Sequence, residues 1–153
     1  MSDFTRDHLE NWLKDLSVRH YLCPNCEGIH LTDLEEQLGV LESRVFLDEG
    51  MIIISTELPI RPSAVLPLHG SLNLVNFEHP LVKVTLNLHD DEIPRLVISG
   101  ILIAAELSPI YFNAFLSAVT GSTLNVLEHA TALDVLFLDE PELDVDAKGD
   151  ALH

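Results

Sequence analysis

Leu41-Glu42-Ser43-Arg44-Val45-Phe46-Leu47-Asp48-Glu49-Gly50-Met51-Ile52-Ile53-Ile54-Ser55-Thr56 is the stretch on which the fold can be read. In its first half Leu41, Ser43, Val45 and Leu47 alternate with Glu42, Arg44, Phe46 and Asp48, the period of two that sends successive side chains to opposite faces of a strand. Asp48-Glu49-Gly50 then offers a short turn, and Met51 to Thr56 returns as a second strand. The return strand is apolar on both faces around Ile52 to Ile54, which predicts a central place in a sheet.

Working outward, Val82, Val84, Leu86 and Leu88 alternate with Lys83, Thr85, Asn87 and His89, and after Asp90 to Pro94 the chain enters a continuously apolar strand from Leu96 to Ile103. That is a second hairpin. Upstream, Arg19 to Cys23 reads as a short strand ended by the turn Pro24-Asn25-Cys26-Glu27-Gly28, with extended structure resuming at Ile29-His30-Leu31. Three helices are predicted around these strands. Thr5 caps the first, whose Leu9, Trp12, Leu13 and Leu16 share one face. The second carries Val65, Leu66, Leu68, Leu72 and Val75 and starts between Ser63 and Pro67, because proline is tolerated only in a first turn. Ser108 and Pro109 open the third, where Thr120-Gly121-Ser122-Thr123 is a candidate bend. This order predicts an α+β protein: an antiparallel sheet with helices packed on one face, over residues 1–138. Residues 139–153, with six acidic residues and one lysine, read as a flexible acidic tail.

Charge limits the partners. Against 25 Asp and Glu stand 8 Lys and Arg, a formal net charge of −17, and Arg6, Lys14, Arg19, Arg44, Arg61, Lys83, Arg95 and Lys148 form no run or stripe. A phosphate backbone is repelled by such a surface, so direct nucleic-acid binding is not expected. The first residues have neither a basic nor an apolar leader segment, and the stretch near Leu96 to Ala105 is about half a membrane span. A cytoplasmic protein without membrane contact is expected.

Several segments together resemble the bacterial YbjN family, in order and spacing: Cys23-Pro24-Asn25-Cys26 with His30, Arg61-Pro62-Ser63-Ala64-Val65-Leu66-Pro67-Leu68, Asp90-Asp91-Glu92-Ile93-Pro94-Arg95-Leu96-Val97, and the ending Leu152-His153. The resemblance runs from Leu9 to the start of the acidic tail. It implies a cytoplasmic sensory transduction regulator linked to stress survival and motility, with a fold like that of type III secretion chaperones, dimers that hold extended protein segments. It attaches no reaction and no active-site residue.

The densest chemical constellation is Cys23, Cys26 and His30, with His20 nearby. Two thiolates separated by two residues can meet one zinc ion across a tight turn, and His30 can add a third ligand. The pair can also form a reversible disulfide. The plainest reading is a turn with small, partly buried thiols. No metal and no cofactor is therefore expected, and a metal- or redox-sensing protein is the alternative function. Asp90-Asp91-Glu92 lacks the alternation and glycine of a calcium loop, no His-Glu-x-x-His or phosphate loop occurs, and Ser63 and Ser99 lack a nucleophile elbow.

A non-enzymatic regulatory or chaperone-like module, a homodimer with a protein partner or client, is the leading expectation. Trp12, Phe46, Met51, Tyr111 and Phe112 are the candidate contact residues, although for each taken singly a place in the core is the commoner fate. Arg61 and Arg95 are candidates to orient a partner's carboxylate.

Overall fold

The computed structural model describes residues 4–138. Its first helix, α1 (Arg6–Asp15), opens on Thr5, whose hydroxyl accepts from the His8 amide while the Thr5 amide donates to the His8 ring. This reciprocal cap satisfies amides that a helix start leaves without partners. Leu9 and Leu13 are fully buried, and the Trp12 ring lies between those of Phe4 and Phe112, 4.9 and 5.6 Å away.

Six strands form one antiparallel sheet: β1 (His20–Leu22), β2 (Ile29–Leu31), β3 (Glu42–Asp48), β4 (Met51–Pro59), β5 (Lys83–Asn87) and β6 (Arg95–Ile103). Their spatial order is β1-β2-β3-β4-β6-β5. At the β3–β4 turn Glu49 and Gly50 both take positive φ, 47° and 78°, between the paired Asp48 and Met51. That left-handed pair matches the twist of a two-residue hairpin, and glycine adopts it without a steric penalty. Flanked by β3 and β6, β4 is central, and its Ile52 and Ile54 are fully buried.

Among the described residues, three of the four α-helices are those expected. A 3-10 turn (Pro62–Ala64) leads into α3 (Val65–Glu78), so Pro67 falls in the first turn, where its missing amide costs no bond. Ser108 caps α4 (Pro109–Ala132) by accepting from the Tyr111 amide, and α4 continues through Thr120 to Thr123 without a break. Its buried Phe112, Leu116, Val119, Thr123, Val126, Leu127 and Ala130 recur every three or four residues and hold it to the sheet on both sides of Gly121. By length and composition α4 is apolar enough to cross a bilayer; this buried stripe makes it a core helix here. The one-turn helix α2 (Thr32–Glu35) has no periodicity to reveal it in the sequence.

The helices lie on one face of the sheet. Val45, Ile52, Ile54, Leu58, Leu96 and Ile98 are buried beneath them, joined by a hydroxyl pair, Ser43 Oγ to Thr56 Oγ1 at 2.8 Å, that satisfies two buried polar groups at once. Residues 139–153, the expected acidic tail, lie outside the described residues.

Candidate protein-binding face and thiol cluster

Strand alternation sends the intervening residues to the opposite face of the sheet, over which no helix lies among the described residues. There Phe46, Ile53 and Ile101 form one cross-strand row on β3, β4 and β6, and Met51 and Ile103 the next. Ile101 is 49% and Ile103 69% exposed. Further along the same face is an ion-paired group. The two oxygens of Glu57 accept from Arg44 at 2.8 Å and Arg95 at 2.9 Å, and Glu42 lies 3.0 Å from Arg44. The Arg44 guanidinium also sits 4.8 Å from the centre of the Phe46 ring, joining the charged and apolar parts.

Burial pushes the Glu57 carboxyl up, but the bonds from Arg95 and the charges of Arg95 and Arg44 outweigh it and hold its pKa below the ordinary glutamate value. Burial and the neighbouring Glu57 carboxylate hold Glu42 above it, against the pull of Arg44 and Arg95. Removing the Glu57 charge leaves two half-buried guanidinium groups short of an acceptor. Glu57→Gln is therefore expected to cost about 2 kcal/mol in urea unfolding at neutral pH. Because the folded pKa of Glu57 is depressed, its contribution is fully present above the unfolded glutamate value and is lost as pH falls toward the folded one. The gap between wild type and Glu57→Gln should thus close below about pH 4; a gap that widens on acidification would contradict the assignment.

At the β1–β2 edge the register pairs Tyr21 with His30, whose rings stack at 4.6 Å, and the connecting turn carries Cys23 and Cys26. His30 is buried. Its Nε2 lies 3.3 Å from Cys26 Sγ and its Nδ1 2.7 Å from Glu35 Oε2. Glu35, at the end of α2, also accepts from the Ser43 amide at 3.0 Å and from the Tyr21 hydroxyl. Both cysteines are free and half-buried, and the ligand atoms of Cys23, Cys26 and His30 all lie within 4.8 Å of one another.

Burial raises the Cys26 thiol, but the bonds from His30, the Gly28 backbone, Cys23 and Arg44 bring it down to about 7. Burial disfavours protonated His30, yet Glu35 and Cys26 hold its pKa above the ordinary value. Glu35 is held low against the effect of burial by Tyr21, Ser43 and His30, and its bond from Tyr21 pushes the phenol up to about 12. Chemically, this arrangement places a thiol of lowered pKa beside an imidazole fixed by Glu35.

The structure divides the candidate residues. Phe46 and Met51 fall in adjacent rows of the open face, Arg95 lies on the same face at the opposite end of the β4–β6 pair, and Tyr111, 60% exposed, lines a depression of about 260 Å³ with Ile103. Phe112 is corrected: it is fully buried, since it lies on the sheet-facing side of α4 against Trp12, and cannot form a contact surface. Trp12 is half-buried in the same aromatic group. Arg61 is used internally, donating to the Asp134 carbonyl and to Ser63 Oγ. His20 turns away from the thiols, with Nδ1 2.7 Å from the Val18 carbonyl and Nε2 3.5 Å from Glu10.

Sequence reasoning missed Ile53, Ile101 and Ile103 as surface residues and Tyr21 and Glu35 as partners of the thiol cluster. Strand alternation alone could have grouped the first three; nothing in the local sequence marks Glu35. Also missed was the meeting of His79 and His129, 3.3 Å apart. An open cleft of about 450 Å³ is bordered by Val18, Arg19, Leu31, Asp33, Leu116 and Leu124. Its cation is already committed, because Arg19 is 2.6 Å from Asp33 and 2.9 Å from Glu36.

A sheet clad by helices on one side, open and half apolar on the other, defines an α+β protein with the form of a recognition scaffold. The profile of the YbjN family, described as "Putative bacterial sensory transduction regulator", matches residues 5–131. The chain belongs to that family. It is similar to the YbjN proteins of Escherichia coli K12 and Shigella flexneri, each 37% identical over 92 residues that cover 60% of this chain and 58% of theirs. The matched segment thus spans under three fifths of those relatives' length. In structure it is similar to the crystal structure of E. coli YbjN, with a TM-score of 0.83 at 30% identity over 87% of this chain and 95% of that one. A protein from Methanothermobacter thermautotrophicus shares the fold, with a TM-score of 0.53 at 10% identity over 84% and 98% of the two chains. Neither the family description nor the names of these relatives carry a reaction.

Proposed function

We propose that this chain is a non-enzymatic cytoplasmic regulator that works by holding a partner polypeptide on the open face of its sheet. The observation that carries this reading is the uncovered apolar group Phe46, Met51, Ile53, Ile101 and Ile103, bordered by the ion-paired Glu57, Arg44 and Arg95. Three strands about 4.8 Å apart give an apolar strip about 10 Å wide, the diameter of one helix or the width of one extended segment with its side chains. Such a seat supports the finer comparison with chaperones that hold secreted segments. The solved E. coli relative is described as "a putative transcription regulator". With a net charge of −17, regulation by this chain is better served by a protein contact than by a phosphate backbone.

The test is a photo-cross-linking residue placed at Ile101 in the source cells, with the same residue at exposed Glu128 as control. A discrete protein adduct is expected at position 101 alone, and Phe46→Asp should abolish it. Equal adducts at both positions, or none at either, would remove the reading. Because Ile101 is half-exposed, the probe itself should change stability by under about 0.5 kcal/mol, and circular dichroism of Phe46→Asp separates a lost adduct from unfolding.

We also propose that the chain pairs with a second copy through the outer side of α3. Leu66 and Phe77, 83% and 81% exposed, lie on one side of that helix with Leu74. Light scattering should find a dimer that tightens as salt screens the acidic self-repulsion, and Phe77→Glu should weaken it at least about tenfold. A monomer at every salt concentration would exclude it.

A further inference from the structure

We propose that Cys23, Cys26 and His30 bind a borderline divalent metal ion, zinc above all, as a two-cysteine, one-histidine site whose fourth position takes an exchangeable ligand, water in the isolated protein. The donor set is the first ground: two thiols and an imidazole are the ligands zinc prefers over harder ions. The second is geometric. Zinc–sulfur and zinc–nitrogen bonds of about 2.3 and 2.0 Å at tetrahedral angles require sulfur–nitrogen and sulfur–sulfur separations of about 3.5 and 3.8 Å. Here Cys26 Sγ and His30 Nε2 are 3.3 Å apart, and all three donors lie within 4.8 Å of one another, so adjustments of about an ångström assemble the triangle.

The third ground is the support around the donors. His30 Nδ1 is engaged by Glu35, which fixes the ring so that Nε2 faces the sulfurs; Glu35 is itself held by the Ser43 amide and the Tyr21 hydroxyl. A carboxylate behind the imidazole is how metal-bound histidines are oriented, and it makes the ligand nitrogen more basic. The turn contributes too, since the Asn25 amide donates to Cys23 Sγ at 3.4 Å and so helps to position that sulfur. With both thiols ionised, a divalent ion gives a neutral centre. Arg44, which otherwise lies beside Cys26, keeps its own partners in Glu42 and Glu57. The outer flank of the cluster is the exposed β1 edge, where Tyr21 and Leu22 are about half-exposed, so an incoming ligand has access.

The experiment uses the full chain, reduced and stripped of metal, titrated with cobalt(II) and followed by absorption. Thiolate-to-cobalt charge-transfer bands and the visible bands of a tetrahedral ion should grow to one equivalent and be displaced by zinc. Cys26→Ser should abolish the charge-transfer bands, and Glu35→Gln should weaken zinc binding about 10- to 100-fold, while His20→Gln should leave it unchanged. Circular dichroism checks the fold of each variant. Absence of the bands in folded, reduced wild-type protein would overturn the proposal. So would His30→Gln binding cobalt as tightly as wild type, or oxidation of Cys23 and Cys26 to a disulfide by added oxidised glutathione, which takes up the two electrons, at the same rate with and without zinc.

Discussion

Phe112→Ala is expected to destabilise the protein by about 3–5 kcal/mol, the range for truncating a buried aromatic side chain. Phe112 is fully buried and stands among the largest such side chains. Its ring packs 5.6 Å from that of Trp12, so one side chain joins α4 to α1. Removing it forfeits the transfer free energy of the ring and leaves a cavity between two helices that cannot both close on it. For a protein of ordinary stability, about 5–15 kcal/mol, this is a large fraction of the total. Trp12 is the sole tryptophan, so its emission should shift to longer wavelength in the native baseline while urea unfolding gives the loss. A loss below about 1 kcal/mol with unchanged emission is what a surface phenylalanine would give, and would contradict the docking of α1 on α4.

Gly100→Ala should cost about 1–3 kcal/mol, although alanine in place of glycine in the interior of a strand ordinarily helps. The sign is reversed by α4. A Cβ at Gly100 would lie 2.6 Å from Val119 Cγ2 and 3.2 Å from Cγ1, and Val119 is itself 2% exposed and hemmed in. The close approach of helix and strand thus depends on the missing side chain. The two positions must then be coupled: Gly100→Ala combined with Val119→Ala should be about 1 kcal/mol more stable than the sum of the single changes predicts. Simple additivity in a urea double-mutant cycle would show that the clash is relieved elsewhere.

These two positions also mark where local sequence stops being informative. Phe112 follows Ser108 and Pro109, so its place in the first turn of α4 was legible, but its direction was not. α4 carries apolar residues on more than one side, among them exposed Ile110 and Tyr111. α3 shows the same ambiguity more strongly, because Leu68 and Val75 are buried while Leu66, Leu74 and Phe77 are exposed. A helix apolar all round does not say which side meets the sheet. At the thiol cluster, Cys23, Cys26 and His30 are near neighbours in sequence and could be grouped by spacing. Glu35 joined them only because a single helical turn folds back against the β1–β2 hairpin.

What the chain alone determined was local: the β3–β4 hairpin from its alternation and turn, the central place of β4 from Ile52 to Ile54, the caps at Thr5 and Ser108, and an acidic balance ill-suited to phosphate. Each follows from a period, a dihedral preference or a charge count that a short window contains. Tertiary structure decided which sheet face stays bare, which aromatic is core and which is surface, and how Glu57 gathers Arg44 and Arg95 from two other strands. Those outcomes depend on where helices distant in sequence come to rest, and burial is a property of the assembled layers rather than of any residue within them.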